Sequence, residues 1–228
     1  MAKGPFLVVM LTYNDKTVGN AYQVFETCKN SKAVYWGMKE EGIPKSQMIE
    51  LYSMMKKCGK TTVLEVVAYT EKECMDGAQL AEECGCDILM GTVFFDSVND
   101  FCREKGIRYM PFAGNVKERP SVLEGDIDDI IASARAYAQK GVFGFDLLGY
   151  RHTGDSEELI RRFVAEIDLP VCIAGSIDCF SKLDTVSASG AWAFTVGGAF
   201  FDKKFGDEIS SQIDAVCDYM ESKECAYV

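Results

Sequence analysis

The sequence predicts a single-domain α/β fold over residues 1–228, a (β/α)8 or TIM barrel with eight parallel strands. Three observations carry this reading. Short apolar runs alternate with amphipathic runs from end to end. There are eight of each, and eight β-then-α units close into a barrel. Most apolar runs are nearly continuous, such as Leu7-Val8-Val9-Met10-Leu11, as strands covered on both faces must be. An open doubly wound sheet is the alternative.

The strands begin near Phe6, Ala33, Thr61, Asp87, Ile107, Val142, Leu169 and Ala191. Helical periodicity predicts helices over Thr17–Ser31, Pro44–Lys57, Glu71–Glu83, Ser97–Lys105, Asp126–Lys140, Asp155–Ile167 and Phe180–Ser189, with a last one near Asp207–Lys223. The longest connection, residues 114–125, lies between the fifth strand and its helix. Its glycines suit a hinge, and Lys117 and Arg119 suit screening of an anionic substrate; a plain solvated loop is the alternative.

The chain has 228 residues, 48% of them hydrophobic, enough for one large core. Its formal charge of −11 argues against nucleic-acid or anionic-membrane partners, so an anionic ligand must be held by local donors. No apolar run approaches the roughly 20 residues of a membrane span, and Met1-Ala2-Lys3-Gly4-Pro5 lacks signal-peptide character, so a cytoplasmic location is expected. The ten cysteines read as reduced thiols; Cys84-Gly85-Cys86 lacks the spacing of a zinc or thioredoxin motif. With one histidine, no metal and no cofactor are expected.

The active face of a barrel is formed by the carboxyl ends of its strands. Asp87 and Arg108 open their strands and belong to the opposite, stabilising end. Lys39 closes the second strand, Glu65 interrupts the third and Asp146 the sixth. An ionised group in a dry strand is costly unless paired, so all three are candidate catalytic residues pointing into the mouth. Lys39 beside a carboxylate suits acid–base work; a desolvated lysine also suits a Schiff base, and a structural ion pair is the third alternative. After the sixth strand, Arg151 suits a carboxylate or phosphate. His152 suits acid–base work or mere solvation. The first strand ends in Thr12-Tyr13-Asn14-Asp15, where Asn14 suits a substrate hydroxyl and Asp15 suits capping the next helix.

Two strands break into small residues: Leu169-Pro170-Val171-Cys172-Ile173-Ala174-Gly175-Ser176-Ile177 and Ala191-Trp192-Ala193-Phe194-Thr195-Val196-Gly197-Gly198-Ala199. Glycine lets backbone N–H groups approach an anion closely, so Gly175, Ser176, Gly197 and Gly198 form a candidate phosphate grip. Plain turns are the alternative. The stretch from about Gly144 to Lys203 resembles the phosphate-binding (β/α)8 superfamily, which includes the ribulose-phosphate-binding barrels, and within it the N-acetylmannosamine-6-phosphate 2-epimerases. The resemblance implies phosphate binding at those four residues. It does not carry the epimerase's catalytic residues, because Ala174 stands where that family has an acid and Glu65-Val66 where it has a lysine.

The sequence therefore implies a sugar-phosphate isomerase, epimerase or lyase of carbohydrate metabolism, working by proton transfer on a small phosphorylated metabolite. A non-catalytic sensor of such a metabolite, like the glycerol-phosphate-responsive regulatory barrels, is the alternative. A homodimer is the commonest assembly, and Trp36 or Tyr150 suits its interface.

Overall fold

The computed structural model describes residues 5–224. Eight strands form one sheet: β1 (Phe6–Met10), β2 (Tyr35–Lys39), β3 (Thr61–Val66), β4 (Ile88–Gly91), β5 (Arg108–Met110), β6 (Phe145–Leu147), β7 (Val171–Ile173) and β8 (Ala193–Val196). Neighbours run parallel in the order β6-β7-β8-β1-β2-β3-β4-β5. Closure comes at the two ends of that order, where the Asp146 amide donates to the Pro111 carbonyl at 3.1 Å and Phe112 bridges to Asp146. The open-sheet alternative is thereby removed.

Helices α1 (Ala21–Cys28), α2 (Lys45–Lys57), α3 (Glu71–Glu83), α4 (Asp96–Lys105), α5 (Ile127–Ala138), α6 (Ser156–Glu166) and α7 (Phe180–Ser189) each return the chain to the amino end of the barrel. The short α8 (Gly198–Phe201) and then α9 (Ile209–Glu224) follow β8. Local chemistry sets several ends. Thr70 and Glu73 form a reciprocal capping box at the start of α3. Asp155 accepts from the Glu158 amide at the start of α6. Left-handed Gly106 and Gly190 stop α4 and α7.

Two of the predicted segments are built differently. The helix expected from Thr17 begins only at Ala21, because Thr12–Tyr13 and Lys16–Thr17 pair as a small antiparallel hairpin. Asn14 and Asp15 both take positive φ at its two-residue turn, a conformation Asn and Asp tolerate better than most residues. The long connection after β5 is also a hairpin, of strands Asn115–Lys117 and Val122–Glu124.

One core fills the space between strands and helices and includes Phe25, Trp36, Phe145 and Phe163. The other fills the barrel itself with Val8, Met10, Val63, Ile88, Met90, Met110, Cys172 and Ala193. At the amino end Phe6, Tyr35, Phe143 and Trp192 meet edge to face or tilted, with ring centroids 5.3–6.3 Å apart, and stopper the barrel. The guanidinium of Arg108 lies over the Phe143 ring at 5.3 Å, and Asp87 accepts from the Thr62 amide and hydroxyl at 2.8 Å. Both residues thus serve the stabilising end.

Trp36 is no interface residue: it is wholly buried, edge-on to Phe25 at 5.0 Å, and its indole donates to the Ala33 carbonyl. Tyr150 donates to the Lys182 carbonyl at 3.0 Å within the chain. Trp36→Ala is expected to cost about 3–5 kcal/mol of unfolding free energy. Urea unfolding checks this, and the loss should be the same at every protein concentration. A loss that grew on dilution would return Trp36 to an interface.

Candidate functional site

The carboxyl ends of the strands open into a cleft of about 660 Å³. Lys39, Glu65, Arg151, Gly175, Ser176, Gly197, Gly198 and Asn14 all line it.

Lys39 and Glu65 are register partners on β2 and β3, so their side chains leave the sheet together. The Lys39 Nζ lies 3.2 Å from Glu65 Oε1 and also donates to Asp15 Oδ1. Asp15 is the residue that sequence reasoning placed wrongly. It caps no helix; the hairpin turn swings it over the barrel mouth. The hairpin is stitched to β2 by Thr17, whose hydroxyl donates to the Lys39 carbonyl at 2.8 Å and accepts from the Lys39 amide at 2.9 Å. Gly42, at φ +113, permits this approach: a Cβ there would lie 2.0 Å from the Thr17 carbonyl oxygen. The available signal was the Asn-Asp pair flanked by Tyr13 and Lys16, a hairpin-turn dipeptide.

Burial alone would lower the pKa of Lys39, but Glu65 and Asp15 outweigh it and hold the ammonium above its ordinary range. Lys39 is 6% exposed. Asp146, at 0%, is sealed beneath this pair, and neither of its carboxyl oxygens has a hydrogen-bond partner among the described residues. Burial, reinforced by the Glu65 charge, pushes its pKa well up, against the opposing pull of Lys39 and Arg151. The Lys39 ammonium thus lies close to a buried carboxyl group that holds its proton more tightly than usual.

Across the cleft, Gly175 takes φ +125, and a Cβ there would lie 3.0–3.2 Å from the Cα, Cβ and amide nitrogen of Tyr150. Gly197 and Gly198 stand where β8 turns into α8. The amides of Gly175, Ser176, Gly197 and Gly198 donate none of the turn, loop or side-chain hydrogen bonds among the described residues, and the four residues line the same opening. This is a cradle of backbone donors suited to an anion. Gly198 has room for a side chain, its Cβ position being 3.7 Å from Tyr13, whereas Gly175 does not.

The 115–124 hairpin is strapped over the mouth on two sides. Arg119 pairs with Glu40 and with Glu41 at 2.9 Å and donates to the Val67 carbonyl, while Arg151 donates to the Ser121 carbonyl at 3.3 Å. Lys117 pairs with Glu124 of its own hairpin at 2.8 Å. The His152 Nε2 is 3.0 Å from the Gly125 carbonyl, and the residue does not line the cleft. Among the described residues no group of three or more His, Cys, Asp or Glu side chains is placed to hold a metal ion. No helix of the described residues is long and apolar enough to cross a membrane.

No family model and no curated protein sequence matches this chain. Solved structures do. The orotidine 5'-phosphate decarboxylase of Pyrococcus horikoshii superposes with a TM-score of 0.70 at 13% identity, covering 95% of this chain and 99% of that one. The fold is a TIM barrel. The N-acetylmannosamine-6-phosphate 2-epimerase of Clostridium perfringens gives 0.62 at 14% identity over 85% and 86% of the two chains. The glycerol uptake operon antiterminator regulatory protein of Listeria monocytogenes gives 0.59 at 15% identity over 85% and 91%. At these identities the likeness is one of fold, and it spans 85–95% of this chain.

Asp146 supplies a test of the site's electrostatics. In the unfolded chain it ionises near the ordinary value of about 3.9; in the fold its pKa is raised. The folded protein then keeps a proton that the unfolded chain loses. This contribution to stability is present below about pH 4 and is lost progressively as pH rises towards the folded pKa. Asp146→Asn removes the slope. Melting curves from pH 4 to 9 should show the variant gaining on the parent as pH rises; parallel curves would mean that Asp146 is ionised in the fold.

Proposed function

We propose that this chain is an enzyme that acts on a small phosphorylated sugar by proton transfer, as an isomerase, epimerase or lyase. The observation that carries the reading is the Lys39 ammonium held by Asp15 and Glu65 in the same cleft as Gly175, Ser176, Gly197 and Gly198. A general base beside a fixed cation is what proton abstraction next to a carbonyl needs. Glu65 takes the proton from carbon and can return it, the Lys39 ammonium stabilises the oxyanion that develops, and Asp146, which does not line the cleft, acts on this pair through its charge state. The phosphate sits across the cleft on backbone N–H groups, which bind a dianion despite the overall charge of −11.

The pairing of Lys39 counts against its Schiff-base role, since attack on a carbonyl needs the neutral amine. Borohydride in the presence of a phosphorylated ketose should leave Lys39 unmodified; an adduct on Lys39 by mass spectrometry would favour aldolase chemistry.

A second reading is a regulator that binds a phosphorylated metabolite without turning it over. It is supported by the fold shared with the antiterminator regulatory protein and by the fixed charge of Lys39. Incubation with a panel of phosphosugars in deuterated water separates the two. Carbon-bound deuterium is expected for the enzyme, and Glu65→Gln should slow its appearance about 10²–10⁴-fold per folded molecule. Binding of a phosphosugar with no deuterium entering carbon would establish the regulator.

The grip is tested at Gly198. Gly198→Val projects into open space near Tyr13 and should leave the barrel folded while weakening phosphorylated ligands more than their unphosphorylated analogues. Titration calorimetry reads this directly, and equal weakening of both would reduce the glycines to turns.

A further inference from the structure

The guanidinium of Arg151 has no counter-ion. Among the described residues it forms no ion pair with any carboxylate, although the chain carries 35 acidic residues, and its side chain makes one long hydrogen bond, to the Ser121 carbonyl at 3.3 Å. A guanidinium carries five N–H donors in a rigid fork. The other arginine at the cleft, Arg119, is consumed by Glu40 and Glu41.

Its location is equally specific. The turn Gly149–Arg151 is wedged against the phosphate loop, for it is Tyr150 that forbids a side chain at Gly175. On its other side Arg151 lies near enough to Asp146 for its charge to favour ionisation of that acid. Arg151 therefore lines the same cleft as the anion cradle and as Lys39 and Glu65, within reach of a ligand that spans the two.

We propose that Arg151 reads a carboxylate on the ligand, so that the substrate class is the phosphorylated sugar acids, with an anionic group at each end. This rests on the phosphate reading of the opposite loops. A planar fork matches a carboxylate through two parallel N–H···O bonds. The same acidic surface that repels anions at long range makes such a local cation necessary. A cleft of about 660 Å³ accommodates a five-carbon chain with its phosphate.

Three probes that differ by one group test it by calorimetry: 5-phospho-D-ribonate, D-ribitol 5-phosphate and D-ribonate. The phosphoribonate is expected to bind about tenfold to a hundredfold more tightly than ribitol 5-phosphate, the range of a charge-assisted hydrogen-bonded pair. Arg151→Gln should abolish that preference and leave ribitol 5-phosphate unchanged. Arg151→Lys, which keeps the charge but not the fork, should retain only part of it. Circular dichroism establishes that both variants are folded. Equal binding of phosphoribonate and ribitol 5-phosphate by the parent protein, or a preference that survives in Arg151→Gln, overturns the proposal. If instead phosphoribonate and ribonate bind equally and Arg151→Gln weakens both, the carboxylate reader stands and the phosphate grip falls. If none of the three binds, both fall.

Discussion

An ammonium ion can be kept almost dry only if carboxylates surround it, and the mouth of this barrel is organised around that requirement. Lys39 needs Glu65 from the next strand and Asp15 from a hairpin that has no part in the barrel itself. The hairpin in turn needs Thr17 to bind the backbone of Lys39 and a glycine at position 42 to let it approach. Taking away one partner of a buried pair leaves an uncompensated charge, at about 3–5 kcal/mol. The site's geometry and its electrostatics are thus one constraint.

The same economy of charge applies to the rest of the surface. Acidic residues outnumber basic ones, 35 to 24. Yet Lys16, Arg119, Arg151 and Lys204 all border the cleft. Long-range attraction of an anion by the whole molecule is absent, so selectivity rests with short-range donors placed at the strand ends. An interaction of this kind is far less sensitive to salt than steering by net charge.

Much of the fold was legible because a parallel strand buried on both faces has nowhere to put a polar residue. That made Lys39, Glu65 and Asp146 conspicuous, and it separated them from Asp87 and Arg108 by position alone. The register that sets Lys39 beside Glu65 is a property of strand pairing and was not visible in either strand taken singly. Asp15 was misread because a two-residue strand leaves no periodicity to detect, while an aspartate before an amphipathic run looks like a cap. The contacts of Arg119 with Glu40 and Glu41 join segments almost 80 residues apart, beyond any local pattern. Trp36, expected at an interface, lies inside because alternate residues of a barrel strand face two different cores.

The aromatic stopper at the amino end makes the barrel a vessel with a single door. Phe6, Tyr35, Phe143 and Trp192 close the end opposite the cleft, and Asp146 is wholly buried between. Asp146 is thus out of bulk water before any ligand arrives. Any proton it trades with solvent must pass Lys39 and Glu65, at the one end of the barrel that a ligand can enter.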